Sequence, residues 1–323
     1  MPFEKSVVVP LGADETFALI TEPDRLRRWQ AITARVDLRA GGGYRWTIVP
    51  GNTASGTFTE IEAGKRVAFT WGWEGQAELP PGASTVTITL EPSAGGTLVR
   101  LVHDGLTEEQ AASHAQGWNH YLDRLVEAAA SGDAGADDWA AAPQEIDAIK
   151  SAEATLAICQ LILRGVPEDS YQNATACTEF NVAQVADHLI GSITFLGGTA
   201  GAEFPPTAAT TLEARVAAAA QPALEAWRAR GLDGTVKVRS SEMPAASALG
   251  LMSIELLVHA WDFAQATGQQ VKVSDALAEH VLQVAQTNIT PEIRARGSFA
   301  AALPAAPDAG ILDRLIAFTG RAA

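Results

Sequence analysis

Three side chains in this 323-residue sequence have the types and spacing to hold a metal ion: His188, Glu255 and His259. Glu255 and His259 stand four apart in the helix-like run Ser253-Ile254-Glu255-Leu256-Leu257-Val258-His259-Ala260-Trp261-Asp262. At that spacing they lie one turn apart on the same face, and both reach a single ion held between helices. His188, in Val185-Ala186-Asp187-His188-Leu189-Ile190, offers a third ligand from a separate helix. The surroundings (Leu249, Met252, Leu256, Leu257, Val258, Phe263) are apolar, so a buried carboxylate and imidazole there need a partner. Three nitrogen and oxygen ligands without a thiolate suit Zn²⁺, Ni²⁺, Fe²⁺ or Mn²⁺ and leave positions open for water or substrate. The spacing alone fits an exposed i,i+4 contact equally well, and His188 alone fits an ordinary helix histidine. Asp262, three residues after His259, is spaced either to hold the second ring nitrogen or to sit solvated on the helix surface.

Helices must position these groups, and the second half of the chain supplies them. From about residue 144 the apolar pattern has a period near 3.6, with helices expected at about 144–165, 181–198, 210–230, 245–267, 275–289 and 309–318. The second of these opens on an Asn181-x-x-Gln184 capping pair, the fourth follows Pro244, and the fifth opens at Ser274-Asp275. Four long helices with short connections form a bundle. The first half reads differently. Strands are expected near 5–9, 34–38, 44–49, 56–62, 66–73, 84–91 and 97–103, with short helices at 14–20 and from Pro23 to Trp29. Ser84-Thr85-Val86-Thr87-Ile88-Thr89-Leu90 alternates as a half-buried antiparallel strand does. A long helix follows Thr107, and on it His114, Trp118, Leu122 and Leu125 share a face. The Ala/Gly/Ser/Asp-rich stretch 128–143 has the composition of a linker.

A hydrophobic share of 47% against 19% charged residues describes a folded chain. No apolar run approaches the ~20 residues that span a bilayer, and the N-terminus lacks the basic-then-apolar layout of a secretory signal, so a cytoplasmic location is expected. A net charge of −15 repels phosphate backbones and anionic membrane surfaces, which argues against nucleic acid and membrane partners. Cys159, among Leu156, Ile158 and Leu161, reads as a buried thiol, and two cysteines make no disulfide framework. Cys177, Trp227, Trp261 and Met252 read as packing residues.

Residues 144–323 resemble the DinB-like metal-binding bundle of the mycothiol-dependent maleylpyruvate isomerase superfamily. The resemblance is carried by Thr175-Ala176-Cys177-Thr178-Glu179-Phe180-Asn181-Val182 leading to Asp187-His188-Leu189, by Glu255 through Gly268, and by Leu315-Ile316-Ala317-Phe318-Thr319-Gly320-Arg321. It implies a divalent metal, zinc foremost with nickel, iron or manganese open, on His188, Glu255 and His259. Residues 1–128 resemble the SRPBCC, or START-like, helix-grip domain in the branch named for the activator of heat-shock-protein ATPase. Here the matching stretches are Glu22-Pro23-Asp24-Arg25-Leu26-Arg27-Arg28-Trp29, Asp37-Leu38-Arg39-Ala40-Gly41-Gly42-Gly43-Tyr44, Phe69-Thr70-Trp71-Gly72-Trp73 and His114-x-x-Gly117-Trp118-x-x-Tyr121-Leu122. The expected architecture is an α+β helix-grip domain (1–128), a linker (129–143) and an all-α four-helix bundle (144–323). The helix-grip resemblance implies an apolar cavity near Trp71, Trp73, His114, Trp118 and Tyr121, residues that also read as plain core aromatics. The isomerase carries a different extra domain after its bundle, whereas here the helix-grip domain comes first, so the resemblance does not extend to maleylpyruvate isomerisation itself.

Two functions follow from these resemblances. One is a thiol-linked transferase or isomerase in which the metal activates a small thiol, mycothiol by resemblance, against an electrophilic small-molecule substrate. The other is a non-catalytic sensor or stress protein binding metal and a hydrophobic ligand. Arg239 and Ser240, ahead of the metal helix, are candidates for an anion contact or for plain solvation. A metal-activated-water hydrolase lacks an evident second carboxylate as base. A homodimer stays open.

Overall fold

Period-two alternation organises the N-terminal unit. A computed structural model of the chain describes residues 2–239, 241–295, 297 and 299–322. It separates into two units, one ending at Asp137 and the other beginning at Asp138. The first contains β1 (Phe3–Val9), α1 (Ala13–Thr21), α2 (Pro23–Leu26), β2 (Thr33–Val36), β3 (Gly43–Val49), β4 (Asn52–Glu62), β5 (Arg66–Trp71), β6 (Ser84–Ser93), β7 (Gly96–Asp104) and α3 (Glu108–Ser131). Its strands form one antiparallel sheet in the order β1-β7-β6-β5-β4-β3-β2. On β6, Val86, Ile88 and Leu90 are buried while Thr85, Thr87 and Thr89, which alternate with them, are half-exposed. The inward row continues through Phe69 and Trp71 on β5 and Val99 and Leu101 on β7, and it shares one core with Trp118, Leu122 and Leu125 of α3. Register shifts interrupt the β3–β4 and β4–β5 pairings, the kind of irregularity that bends a sheet.

Helix α3 has a full capping box. Thr107 Oγ1 accepts from Gln110 N–H, and the Gln110 side chain accepts from Thr107 N–H. Gly132, in the left-handed conformation at φ 88°, ends the helix. Arg124 then gathers the carbonyls of Gly135 and Ala136, both at 2.9 Å, and of Trp29 at 3.1 Å. The Ala/Gly/Ser/Asp-rich stretch thus begins as helix and folds back along α3.

The second unit contains α4 (Asp138–Ala141), α5 (Ala148–Arg164), α6 (Val182–Thr199), α7 (Leu212–Arg230), β8 (Thr235–Val238), β9 (Ser241–Pro244), α8 (Ala245–Thr267), α9 (Asp275–Asn288), α10 (Pro291–Ala295) and α11 (Ile311–Phe318). Four long helices close a square: α8 packs on α5 and α6, and α7 packs on the same two. Helices α9 and α11 pack on each other, and α9 also lies on α8. Surrounded in this way, α8 is buried at every position from 256 to 264. The expected classes, helix-grip sheet and four-helix bundle, are both present. The β8–β9 hairpin lies where the 3.6-residue pattern gives no element, in a stretch where Thr235-Val236-Lys237-Val238 alternates over only four residues. Among the described residues no helix is long and apolar enough to cross a membrane.

Candidate metal centre

Neighbouring helices bring the three sequence candidates together. Helix α6 starts at a second capping box, Asn181 Oδ1 accepting from Gln184 N–H at 2.9 Å and Gln184 Oε1 from Asn181 N–H at 3.0 Å. That start sets the phase of His188, whose ring stacks on Phe180 at 5.5 Å between centroids. On α8 the i,i+4 pair Glu255 and His259 faces it. One ligand atom from each of the three residues lies within 4.8 Å of the others. His188 Nε2 and His259 Nε2 are each 3.4 Å from the same atom, Glu255 Oε2. Burial is uneven: the His259 and Glu255 side chains are 5% and 18% exposed, whereas that of His188 is 43% exposed, so the cluster opens on the α6 side.

The donor set fits a divalent ion better than it fits itself. A separation of 3.4 Å is long for an N–H···O hydrogen bond, and Glu255 Oε2, although buried, has no hydrogen-bond partner. A buried acceptor left in this way costs free energy. Ligand atoms at 2.0–2.1 Å around a tetrahedral ion lie about 3.3 Å from one another, close to the two separations from Glu255 Oε2. Two imidazoles and a carboxylate are also a donor set borderline metals accept.

Asp262 lies behind His259 and is fully buried. Its Oδ2 accepts from His259 Nδ1 at 2.8 Å, which leaves His259 Nε2 as the nitrogen directed at Glu255. Arg321 grips both Asp262 oxygens, Nε on Oδ1 at 2.8 Å and Nη2 on Oδ2 at 2.9 Å. Burial opposes charge on each of these groups, yet their mutual contacts outweigh it. Asp262 and Glu255 push His259 up to about 8. His188 and His259 hold Glu255 well below the usual carboxylate range, and His259 with Arg321 lowers Asp262. Positive charge is therefore favoured at His259, and a divalent ion answers that field as a proton does.

The aromatic candidates of the first unit meet as a packed cluster. Trp71 lies 5.4 Å from Trp73 and 5.3 Å from Trp118, and Trp73 lies 6.0 Å from His114. Trp71, Trp118 and Tyr121 are buried, and Trp73 and His114 are half-buried. Trp73 Nε1 donates to His114 Nε2 at 3.2 Å, while His114 Nδ1 meets the Gln110 carbonyl at 2.8 Å. A nearby apolar cavity of about 10 Å³, lined by Trp46, Phe69, Trp118 and Leu122 among others, has space for no more than a water molecule. Of the five candidates only Trp118 borders it.

Sequence reading passed over His103, which completes this cluster. Trp118 Nε1 donates to His103 Nδ1 at 3.0 Å, and His103 Nε2 meets Ser84 Oγ at 2.8 Å. An indole nitrogen only donates, so the ring proton of His103 is on Nε2. Burial, with His114 adding to it, brings His103 down to about 3. The signal for it was present, since Val99, Leu101 and His103 alternate on the inward face of β7. Arg239 is exposed at the tip of the β8–β9 hairpin, with φ 56° and its guanidinium 5.9 Å from the Phe195 ring centroid. Ser240 lies outside the described residues. Cys159 is buried and Cys177 half-buried, and both are free thiols. Trp227, Met252 and Trp261 are buried in the bundle.

The family described as activator of Hsp90 ATPase homolog 1-like protein matches residues 11–130, and the mycothiol maleylpyruvate isomerase N-terminal domain matches residues 152–264. Proteins from two strains of Mycobacterium tuberculosis, both described as uncharacterized, are 32% identical over 163 residues, covering 50% of this chain and 90% of theirs. Among solved structures, an AHSA1-like protein of Rhizobium etli is 37% identical, covering 43% of this chain and 86% of its own, with a TM-score of 0.36. A Chromobacterium violaceum protein is 21% identical over 39% of this chain and 94% of its own, with a TM-score of 0.35.

Proposed function

We propose, given that this chain belongs to the activator of Hsp90 ATPase homolog 1-like family through residues 11–130 and to the mycothiol maleylpyruvate isomerase N-terminal domain family through residues 152–264, that it is a metal-dependent, thiol-linked transferase or isomerase. The observation that carries the metal part is the convergence of His188 Nε2 and His259 Nε2 on the otherwise unbonded Glu255 Oε2. His188, Glu255 and His259 hold the ion, zinc foremost, with nickel, iron or manganese as alternatives. Asp262 keeps His259 in the tautomer that directs Nε2 at the site. When bound, the ion supplies a Lewis acid that lowers the pKa of a coordinated thiol. The thiol is mycothiol in this reading, which draws on the family's name. The exposed side of His188 is the approach for thiol and electrophile. A cytoplasmic setting, where thiols stay reduced, belongs to the same proposal.

The competing reading, a sensor that binds metal and a hydrophobic ligand without catalysis, asks for space inside the helix-grip unit. The cavity beside Trp118 is too small for such a ligand, so this reading needs another site in that unit.

Metal content of untagged protein tests the proposal. About one transition ion per chain is expected in the wild type and much less in His188→Ala and His259→Ala. Mycothiol-dependent consumption of a small electrophile should follow the same pattern. A wild type that takes up neither zinc nor nickel would remove the basis for the enzyme.

A further inference from the structure

We infer that Arg321 is a positioning residue for the metal centre: its guanidinium forks onto Asp262 and, through that carboxylate, fixes the ring of His259. The inference rests on the metal reading above and adds to it a residue that is not among the ligands. Asp262 is fully buried, and a buried carboxylate needs donors on both oxygens. His259 Nδ1 serves only Oδ2. Arg321 supplies the rest in the bidentate form that leaves a carboxylate least rotational freedom, at 2.8 Å and 2.9 Å. A lysine in its place keeps the charge and loses the fork.

The backbone around Arg321 is built to deliver it. Leu315 and Ile316 of α11 are fully buried, and the helix closes at Thr319. Gly320 then takes φ 88°, and a Cβ there would meet the Ala300 Cβ at 2.6 Å, so only glycine makes this turn. Arg321 N–H donates to the Ile316 carbonyl at 3.2 Å, and Arg321 Nη1 donates to Thr319 Oγ1 at 3.3 Å. The side chain is 10% exposed. It is a fixed part of the bundle rather than a surface arginine resting on an acid.

A second buried fork in the same unit separates positioning from plain stability. Arg228 on α7 holds Glu153 on α5 through Nε–Oε1 and Nη2–Oε2, each at 2.7 Å, and Glu153 is fully buried. Loss of either fork weakens the bundle, but only the Arg321 fork leads to a proposed ligand.

The test uses the full, untagged chain with Zn²⁺ affinity from chelator competition and the d–d absorption of the Co²⁺ form. Arg321→Lys is expected to bind Zn²⁺ about 10- to 100-fold more weakly and to change the Co²⁺ bands. Arg228→Lys is expected to unfold at lower temperature with affinity and bands unchanged. A wild type that binds neither ion overturns the metal reading and this inference with it. A wild type that binds, beside an Arg321→Lys protein with equal affinity and identical bands, overturns this inference alone. Should Arg321→Lys not fold, Arg321→Gln is read by the same two criteria.

Discussion

The carboxylate of Glu255 has two imidazole nitrogens at 3.4 Å and no hydrogen bond on Oε2, so Glu255→Gln keeps the shape of the cluster and removes its charge. Zinc affinity is expected to fall at least about 100-fold, because even partners behind the ligands are worth 10 to 100. Isothermal titration checks this, and a variant binding as tightly as the wild type would count against Glu255 as a ligand. In the other unit His103 couples folding to pH. Its folded value is about 3 against 6.5 for the free side chain. The depressed value means the fold holds the neutral ring, so this contribution is complete above 6.5 and is lost as pH falls from 6.5 toward 3. Over that window it amounts to roughly 5 kcal/mol. His103→Gln keeps an acceptor for Trp118 and a donor for Ser84 without titrating. Its stability should decline less steeply than the wild type's when urea unfolding is followed at stepwise lower pH. At this scale the Glu255–His259 spacing was legible because both residues lie on one helix. Arg321 was not, since its partner Asp262 is distant in sequence and no local pattern encodes such a contact.

Helix starts were legible as sequence because caps are local chemistry: Asn181 with Gln184 forms the reciprocal pair its spacing implies, and the helix expected after Thr107 opens there, on a pair with Gln110 that the structure adds. Each cap is worth about 1 kcal/mol. Thr107→Ala is expected to lower the melting temperature while leaving zinc affinity as it is. Asn181→Ala should lower both, because the capped start of α6 fixes Phe180, the residue before the cap, where its ring stacks on His188. Thermal melts paired with zinc titrations distinguish the two, and equal affinity in both variants would show that the α6 cap does not set the position of His188. The β8–β9 hairpin escaped sequence reading for a physical reason. Its strands are four residues each, and propensity over so short a run decides little without a partner strand.

For the molecule as a whole, alternation identified the sheet and the 3.6-residue period the bundle. Which helices would be neighbours was outside local pattern, because the pairing of α6 with α8 is a product of packing. Saturating zinc is expected to stabilise only the bundle, by about 2.7 kcal/mol at 100 times the dissociation constant. Calorimetry should then show the transition of the C-terminal unit moving upward and that of the N-terminal unit staying in place. The adjacency of α6 and α8 has a topological consequence. An ion joining His188 to Glu255 ties off a loop of about 67 residues, which the chain-entropy treatment of cross-links values at about 4 kcal/mol. In that role the ion is a reversible staple. A chelator would remove it, and the unfolded chain would recover the freedom that the tie had withheld.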